Sequence, residues 1–317
     1  MASRMIVLVA MMVLLAGIVH ADDRALRIGD SKGLHKALLT AAGELKNLPY
    51  EVEWAEFPAT APALEALGAG AIDLRASAAA PLIFAVAAGA PLKAVAALRL
   101  NGPRESVAIL VQPNSPIRDV AGLRGKRIGT NKGSVGHYLV LAALQRERIP
   151  FNEVTIQYLM PADAKAALGG GSVDAWSTWE PYVSIAEVQD HLRPVIDGTG
   201  LPLTDAVFVS SAASIVSKRR LLEDFLTRLA RAQLWAHDHL GEYAALYSNQ
   251  TGLPIEVTRL VVKRMDYQFM SIDDSVVQEH QSVADLYLKA GVIRQPINVS
   301  TAFDRSVFTR AVAARNE

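Results

Sequence analysis

The residues of this 317-residue chain with the types and spacing to do chemistry fall in four short segments. They are Ser31-Lys32, Arg75-x-Ser77-Ala78, Gly133-Ser134-x-x-His137 and Thr178-Trp179-Glu180. Hydroxyls, cations and backbone that can be approached closely at glycine are what an oxyanion needs. Each segment precedes an expected helix, whose first N–H groups are unpaired and partly positive. Ser134 would cap its helix and offer a hydroxyl to anion oxygens; a plain cap is the simpler alternative. Arg75 could act as a fork-shaped anion clamp. Lys32 and Lys132 could add charge, or be solvated. His137, one turn into its helix, is either a cleft contact or an ordinary buried or surface histidine. Ser77 and Thr178 are candidate ligand contacts. Trp179 could wall an alkyl or aryl group, while Trp176 reads as core. Glu180 could hold a ligand amine, close the lobes, face a partner, or simply cap a helix.

Other chemistries are excluded or weak. The chain has no cysteine, so it carries no disulfide, thiolate-ligated metal or cysteine nucleophile. No Gly-x-Ser-x-Gly elbow, Walker loop or His-Glu-x-x-His occurs. His237 and His239 are two apart on an expected helix and do not share a face. Neither a cofactor nor a metal is expected. The 32 basic and 32 acidic residues balance, and nothing suggests nucleic-acid binding.

The elements that must position these residues repeat. Arg27-Ile28-Gly29-Asp30-Ser31-Lys32-Gly33 returns as Arg127-Ile128-Gly129-Thr130-Asn131-Lys132-Gly133. Ala66-Leu67-Gly68-Ala69-Gly70-Ala71-Ile72-Asp73 returns as Ala167-Leu168-Gly169-Gly170-Gly171-Ser172-Val173-Asp174, at nearly the same offset. Each half reads as strand, helix, strand, helix, strand. The first half has strands at 26–29, 50–55 and 72–74 and helices at 34–47 and 60–67. The second has strands at 126–129, 154–158 and 173–175 and helices at 134–147 and 162–168. Strands alternating with helices imply parallel sheets, with ligands outside the strands' carboxyl ends. Arg75–Ala79 and Trp176–Glu180 are expected as loops there. Residues 207–210 read as a strand returning to the first lobe. Helical periodicity follows over 219–247, 255–266 and 273–290, a tail expected to pack on the first lobe and brace the hinge. Crossings between lobes are expected near 108–112 and 204–209.

Residues 1–21 read as a signal peptide. Arg4 precedes an uncharged run over 5–19, and cleavage is expected after Ala21. The expected organisation is a first lobe over 22–110, a second over 111–204, and a return to the first over 205–317. The fold class is α/β, and the mature protein should be exported to the periplasm and soluble.

Several motifs together resemble a known family. They are Lys132-Gly133-Ser134-x-x-His137, Pro161-Ala162-Asp163-Ala164 and Val173-Asp174-Ala175-Trp176-x-x-Trp179-Glu180-Pro181-Tyr182, with Glu56-Phe57-Pro58-Ala59, Leu64-Glu65-Ala66-Leu67, Ile72-Asp73-Leu74 and Ala87-Ala88-Gly89-Ala90. This set is similar to the periplasmic aliphatic sulfonate-binding proteins of ABC importers, within the wider nitrate, sulfonate, taurine and thiamine-precursor group. The resemblance covers about residues 24–240 and fades in the C-terminal helices. It implies a two-lobed periplasmic-binding-protein fold, type II-like with two crossovers, plus extra C-terminal helices. It also implies capture of a small alkanesulfonate-like anion by a monomer, and delivery to an inner-membrane ABC permease without reaction. The chain departs from the family where a Gly-Ser-Thr-Gly-Asp-like loop is usual: it has Arg75-Ala76-Ser77-Ala78-Ala79-Ala80. Asp30 also stands where an aromatic is common. Alternatives are another solute (nitrate, taurine or a thiamine pyrimidine precursor) or a dehydratase-like enzyme on the same fold. The effector domain of a transcription regulator is a third, but a signal-like segment stands where a DNA-binding module would.

Overall fold

The computed structural model describes residues 25–309 apart from 103, 203 and 205. The expected signal peptide and its cleavage point after Ala21 lie outside the described residues. The chain begins with β1 (Ala25–Asp30), α1 (Leu34–Ala41), β2 (Glu51–Glu56), α2 (Thr60–Gly68), β3 (Leu74–Ser77), α3 (Ala79–Ala87) and β4 (Leu92–Leu100). A second run follows: β5 (Val107–Val111), β6 (Arg127–Thr130), α4 (Val135–Arg146), β7 (Thr155–Tyr158), α5 (Pro161–Gly169), β8 (Ala175–Trp179), α6 (Tyr182–Gln189) and β9 (Arg193–Asp197). The chain then returns through β10 (Ala206–Ser211), α7 (Ala212–Ser217), α8 (Arg219–Asp238), α9 (Leu240–Thr251), α10 (Ile255–Arg264), β11 (Tyr267–Met270) and α11 (Asp274–Lys289).

Two mixed sheets result, one in each lobe. The first has the order β11-β4-β10-β3-β1-β2 and the second β7-β6-β8-β5-β9. They are related by the sequence repeat. β1 and β6 each pair in parallel with strands on both sides, β2 and β3 in one lobe and β7 and β8 in the other. Next comes one antiparallel strand that has arrived from the other lobe, β10 in the first sheet and β5 in the second. β5 (VAILV) is buried along its whole length, as a continuous apolar run in a two-sided sheet should be.

The repeated Arg and Asp residues brace these sheets rather than the ligand. Arg27 N donates to Asp73 Oδ2 at 2.9 Å, and its guanidinium reaches the same carboxylate at 3.1 and 2.9 Å. Arg127 does the same to Asp174 at 2.8, 3.1 and 2.9 Å. Each carboxylate thus ties the first strand of its repeat to the turn before the third. This explains why the third strands begin later than expected, at Leu74 and Ala175. It also makes Arg75–Ser77 and Trp176–Thr178 strand rather than loop.

Other expectations shift for local reasons. Residues 42–47 are turn rather than helix, because the chain takes a left-handed conformation at Gly43 (φ 72°). The expected helix over 219–247 breaks at His239, whose ring stacks on Trp235 at 4.6 Å. Residues 108–112 are not a crossing: 107–111 form β5 inside the second sheet, and the chain crosses between β4 and β5 and again between β9 and β10. The expected lobe boundary at 110/111 therefore moves to the first of these crossings.

Leu222, Phe225, Leu226 and Leu229 form an apolar stripe that α8 buries against the first sheet, with Tyr247 of α9 and Val261 of α10 in the same core. Burial of each such side chain contributes about 1.5–3 kcal/mol. α11 does not confine itself to the first lobe. Its Val283, Ala284 and Tyr287 join one apolar cluster with Ile83 of α3 and the buried face of α4.

Candidate functional site

A cavity of about 170 Å³ lies between the lobes, walled by residues of both sheets and both crossings. Its wall brings together the carboxyl ends of β1, β3, β6 and β8. At those ends successive side chains face a gap rather than a neighbouring strand. The helices that begin there, α3 after Ala78 and α4 after Ser134, are long enough to carry a useful N-terminal dipole.

In the first lobe the wall is polar and tightly built. Asp30 is buried and accepts from the backbone N–H of Ser31 (2.8 Å), His35 (3.2 Å) and Lys36 (3.0 Å). It thereby holds the turn into α1, where Gly33 itself supplies no side-chain cap. Burial alone would raise the Asp30 carboxyl, but the hydrogen bond from His35, the attraction of that ring when it is charged, and the Lys36 and Ser31 backbone donors outweigh it and hold it below the usual range. Arg75 passes over Gly29, whose missing side chain makes room: a Cβ there would lie 2.7 Å from Ile72 and 3.3 Å from Arg75. The guanidinium donates to Asp30 O (3.0 Å) and Ser31 Oγ (2.9 Å), while its Nε is sealed without a partner. Burial lowers the Arg75 guanidinium to about 10, against the pull of Asp30 and Glu56, and leaves it cationic at neutral pH. Ser77 Oγ donates to Ala78 O at 2.8 Å.

In the second lobe Ser134 caps α4, accepting from His137 N at 3.1 Å. Gly133 adopts φ 69° and donates its N–H to His137 Nδ1 at 3.2 Å. His137 itself is buried between the rings of Tyr158 (5.3 Å) and Tyr287 (5.2 Å). Burial, helped by Lys132, pushes it down to about 4, so the ring is neutral and can accept that N–H. Glu180 is anchored twice in its own lobe, by Ser184 Oγ (2.7 Å) and Ser184 N (3.2 Å). It is anchored once from the other lobe: Arg264 of α10 reaches it at 3.2 Å and Glu187 at 2.6 Å. Tyr182 adds a second tie, donating to Pro58 O at 2.9 Å.

Eight of the eleven expected residues line the cavity: Ser31, Arg75, Ser77, Ala78, Gly133, Ser134, Trp179 and Glu180. Three do not. Lys32 is exposed, with its ammonium 5.8 Å from the Tyr182 ring. His137 sits behind the wall and holds Gly133 in place. Thr178 is buried in β8 with Oγ1 sealed; the twofold alternation of a strand sends it away from the side that Trp179 faces. Trp176 is core, as read from its position. The wall also contains Asp30, singled out above as a departure from the family pattern, and residues that sequence reasoning missed: His35, Asn131, Arg104 and Thr204 in the crossings, and Met265 and Tyr267 from the returning chain. Asn131 lay inside the repeat and was findable. Arg104 and Thr204 had no local signal, because only the crossings bring them beside the repeats.

The model of the "NMT1/THI5 like" family matches residues 51–242. An Escherichia coli (strain K12) protein named for binding aliphatic sulfonates is 33% identical over 287 residues, covering 88% of each chain. The crystal structure of the periplasmic aliphatic sulphonate binding protein of Escherichia coli superposes with a TM-score of 0.78 at 31% identity, over 90% of this chain and 94% of that one. The alkanesulfonate-binding protein of Xanthomonas axonopodis pv. citri, solved with MOPS bound, gives a TM-score of 0.82 at 31% identity, over 89% of this chain and 99% of that one.

Proposed function

This chain belongs to the NMT1/THI5-like family, and from that premise we propose that it is the solute-binding component of an ABC importer. It captures an aliphatic sulfonate between its lobes and hands it unreacted to an inner-membrane permease. It works in the periplasm, as a monomer, after removal of the N-terminal segment at Ala21.

One observation carries the ligand class. The cavity joins a cationic and hydroxylated end to an apolar remainder, and both lobes contribute to it. Ser77 ends β3 just before the Ala78 cap of α3 and Ser134 caps α4, with Arg75 beside the former. We assign them, with the backbone N–H at Ala78, to the sulfonate oxygens, Ser77 turning its hydroxyl from Ala78 O to the ligand; the Gly133 N–H is held by His137, and Gly133 serves by letting the backbone approach closely. Hydrogen bonds to a charged group contribute about 1.5–3 kcal/mol each, and the two helix ends about 0.3–1 kcal/mol each. A few such contacts account for affinity near the micromolar level, about −8 kcal/mol. Trp179, Val135, Pro81 and Leu100 supply the apolar wall for an alkyl chain. Arg75 and Ser31 are bonded to one another, so Ser31 positions the guanidinium. Glu180 does not serve a ligand amine in this reading, because Ser184 and Arg264 occupy it; it helps hold the lobes together once the ligand bridges them.

Thermal shift and calorimetric titration with alkanesulfonates, taurine, nitrate, sulfate and pyrimidines test the proposal. Stabilisation by the sulfonates above nitrate, sulfate and the pyrimidines is expected. A clear shift with another solute and none with any sulfonate would reject the ligand, and turnover of any compound in the set would reject passive carriage. Size-exclusion chromatography of the processed protein tests the monomer.

A further inference from the structure

His35 lines the cavity and is gripped from behind: its Nδ1 lies 2.9 Å from Asp30 Oδ1. An ionised carboxylate accepts but does not donate, so Nδ1 carries the hydrogen of this contact. The ring is held further by an edge contact with Phe208 at 5.4 Å. That leaves Nε2. No protein group among the described residues hydrogen-bonds to it, yet it is not one of the sealed polar atoms, unlike Arg75 Nε and His137 Nε2. In the neutral ring it is an acceptor, on a residue that lines the cavity. Ala206, two residues before Phe208 on β10, and its register partner Leu98 on β4 share that face of the sheet and line the cavity. An alkyl chain running along that side would pass a lone hydrogen-bond acceptor.

From this, and resting on the sulfonate reading above, we propose that His35 is a specificity residue that accepts a hydrogen bond from a donor on the ligand's chain. The preferred ligand is therefore a sulfonate bearing a hydroxyl or an ammonium group beyond the headgroup, rather than a plain alkanesulfonate. Asp30 acts through His35 as a positioning residue, setting its tautomer and angle. Removing a donor from the ligand would leave Nε2 desolvated without a partner, which is how a buried acceptor discriminates.

The experiment compares near-isosteric ligands by calorimetry: n-alkanesulfonates against terminal hydroxyl and terminal ammonium analogues of equal heavy-atom length, over a short ladder of chain lengths. For the wild type, one donor-bearing series should bind at least tenfold tighter than the methyl series at its best length. Which of the two series gains distinguishes hydroxyl from ammonium recognition. His35→Phe keeps the packing on Phe208 and should erase the gain, leaving plain alkanesulfonate affinity within about threefold. His35→Gln, whose amide oxygen restores an acceptor, should recover part of it. Equal affinity of all three series for the wild type, or a uniform loss across them in His35→Phe with no recovery in His35→Gln, overturns the inference while sulfonate capture stands. Failure of every sulfonate to bind the wild type overturns both.

Discussion

The repeat supplies its own control for one substitution. Gly33 and Gly133 are equivalent, and both adopt left-handed backbone, at φ 65° and 69°. Alanine at either position should cost about 1–2 kcal/mol for that conformation. Their surroundings differ. A Cβ at Gly33 would meet only a Thr251 methyl, at 3.7 Å, which is ordinary contact. A Cβ at Gly133 would lie 2.9, 3.1 and 3.2 Å from three atoms of the Phe84 ring. That ring belongs to α3 of the other lobe and packs edge-on against Tyr287 at 4.9 Å, so it has little room to yield. Overpacking of this kind adds about 1–3 kcal/mol. Gly33→Ala should therefore lose about 1–2 kcal/mol of unfolding free energy in guanidinium titration, and Gly133→Ala about 2–5 kcal/mol. Gly133→Ala should also weaken ligand binding, since the clash separates the two walls of the cavity. Placing Gly133→Ala in a Phe84→Leu background should reduce its loss to that of Gly33→Ala, as a double-mutant cycle reads directly. Equal losses at the two glycines, or an excess that survives Phe84→Leu, would refute the lobe contact as the cause.

Further outcomes follow from the same geometry. Ser134→Ala should weaken sulfonate binding by about 1–3 kcal/mol if its hydroxyl meets the charged headgroup, and unchanged calorimetric affinity would remove it from the site. Asp73→Asn should destabilise the protein by about 3–5 kcal/mol, because it breaks a buried pair with Arg27 and Lys218. Asp174→Asn should cost far less, since that side chain is 31% exposed against 1% for Asp73; similar denaturation midpoints for the two variants would contradict this. Burial pushes the Glu180 carboxyl up to about 7 from 4.5, against Ser184 and Arg264. The folded state then binds more protons than the unfolded state between those values, so stability should rise as pH falls through that window. Glu180→Gln should flatten that part of the curve, and an unaltered slope would count against the assignment.

Much of this was legible in the chain itself. The two-lobed α/β plan followed from a repeat of strand and helix patterns at one offset, and the candidate segments followed from where that repeat puts its turns. Ser134 as a helix cap and Trp176 as core came from local pattern alone. Lys32, His137 and Thr178 went astray for a shared reason: adjacency to a site in sequence does not say which way a side chain leaves the backbone. Strand alternation turned Thr178 inward, ring packing buried His137, and a left-handed turn at Lys32 (φ 49°) left its side chain exposed. The lobe boundary was misplaced because β5 is a buried apolar strand and looks no different whichever sheet it joins.

By itself, then, the sequence determined what local chemistry can specify: the periodicity of each element, the duplicated half, the caps and glycines at the turns, and the absence of any thiol. Only the tertiary structure decided which residues share the cavity. Arg104, Thr204 and Tyr267 reach its wall from segments far apart in the chain. Arg264 links α10 to the second lobe. His35 packs its ring edge-on against Phe208 of the returning strand β10. Long-range contacts of this kind depend on how sheets and crossings pack, and no window of neighbouring residues encodes them.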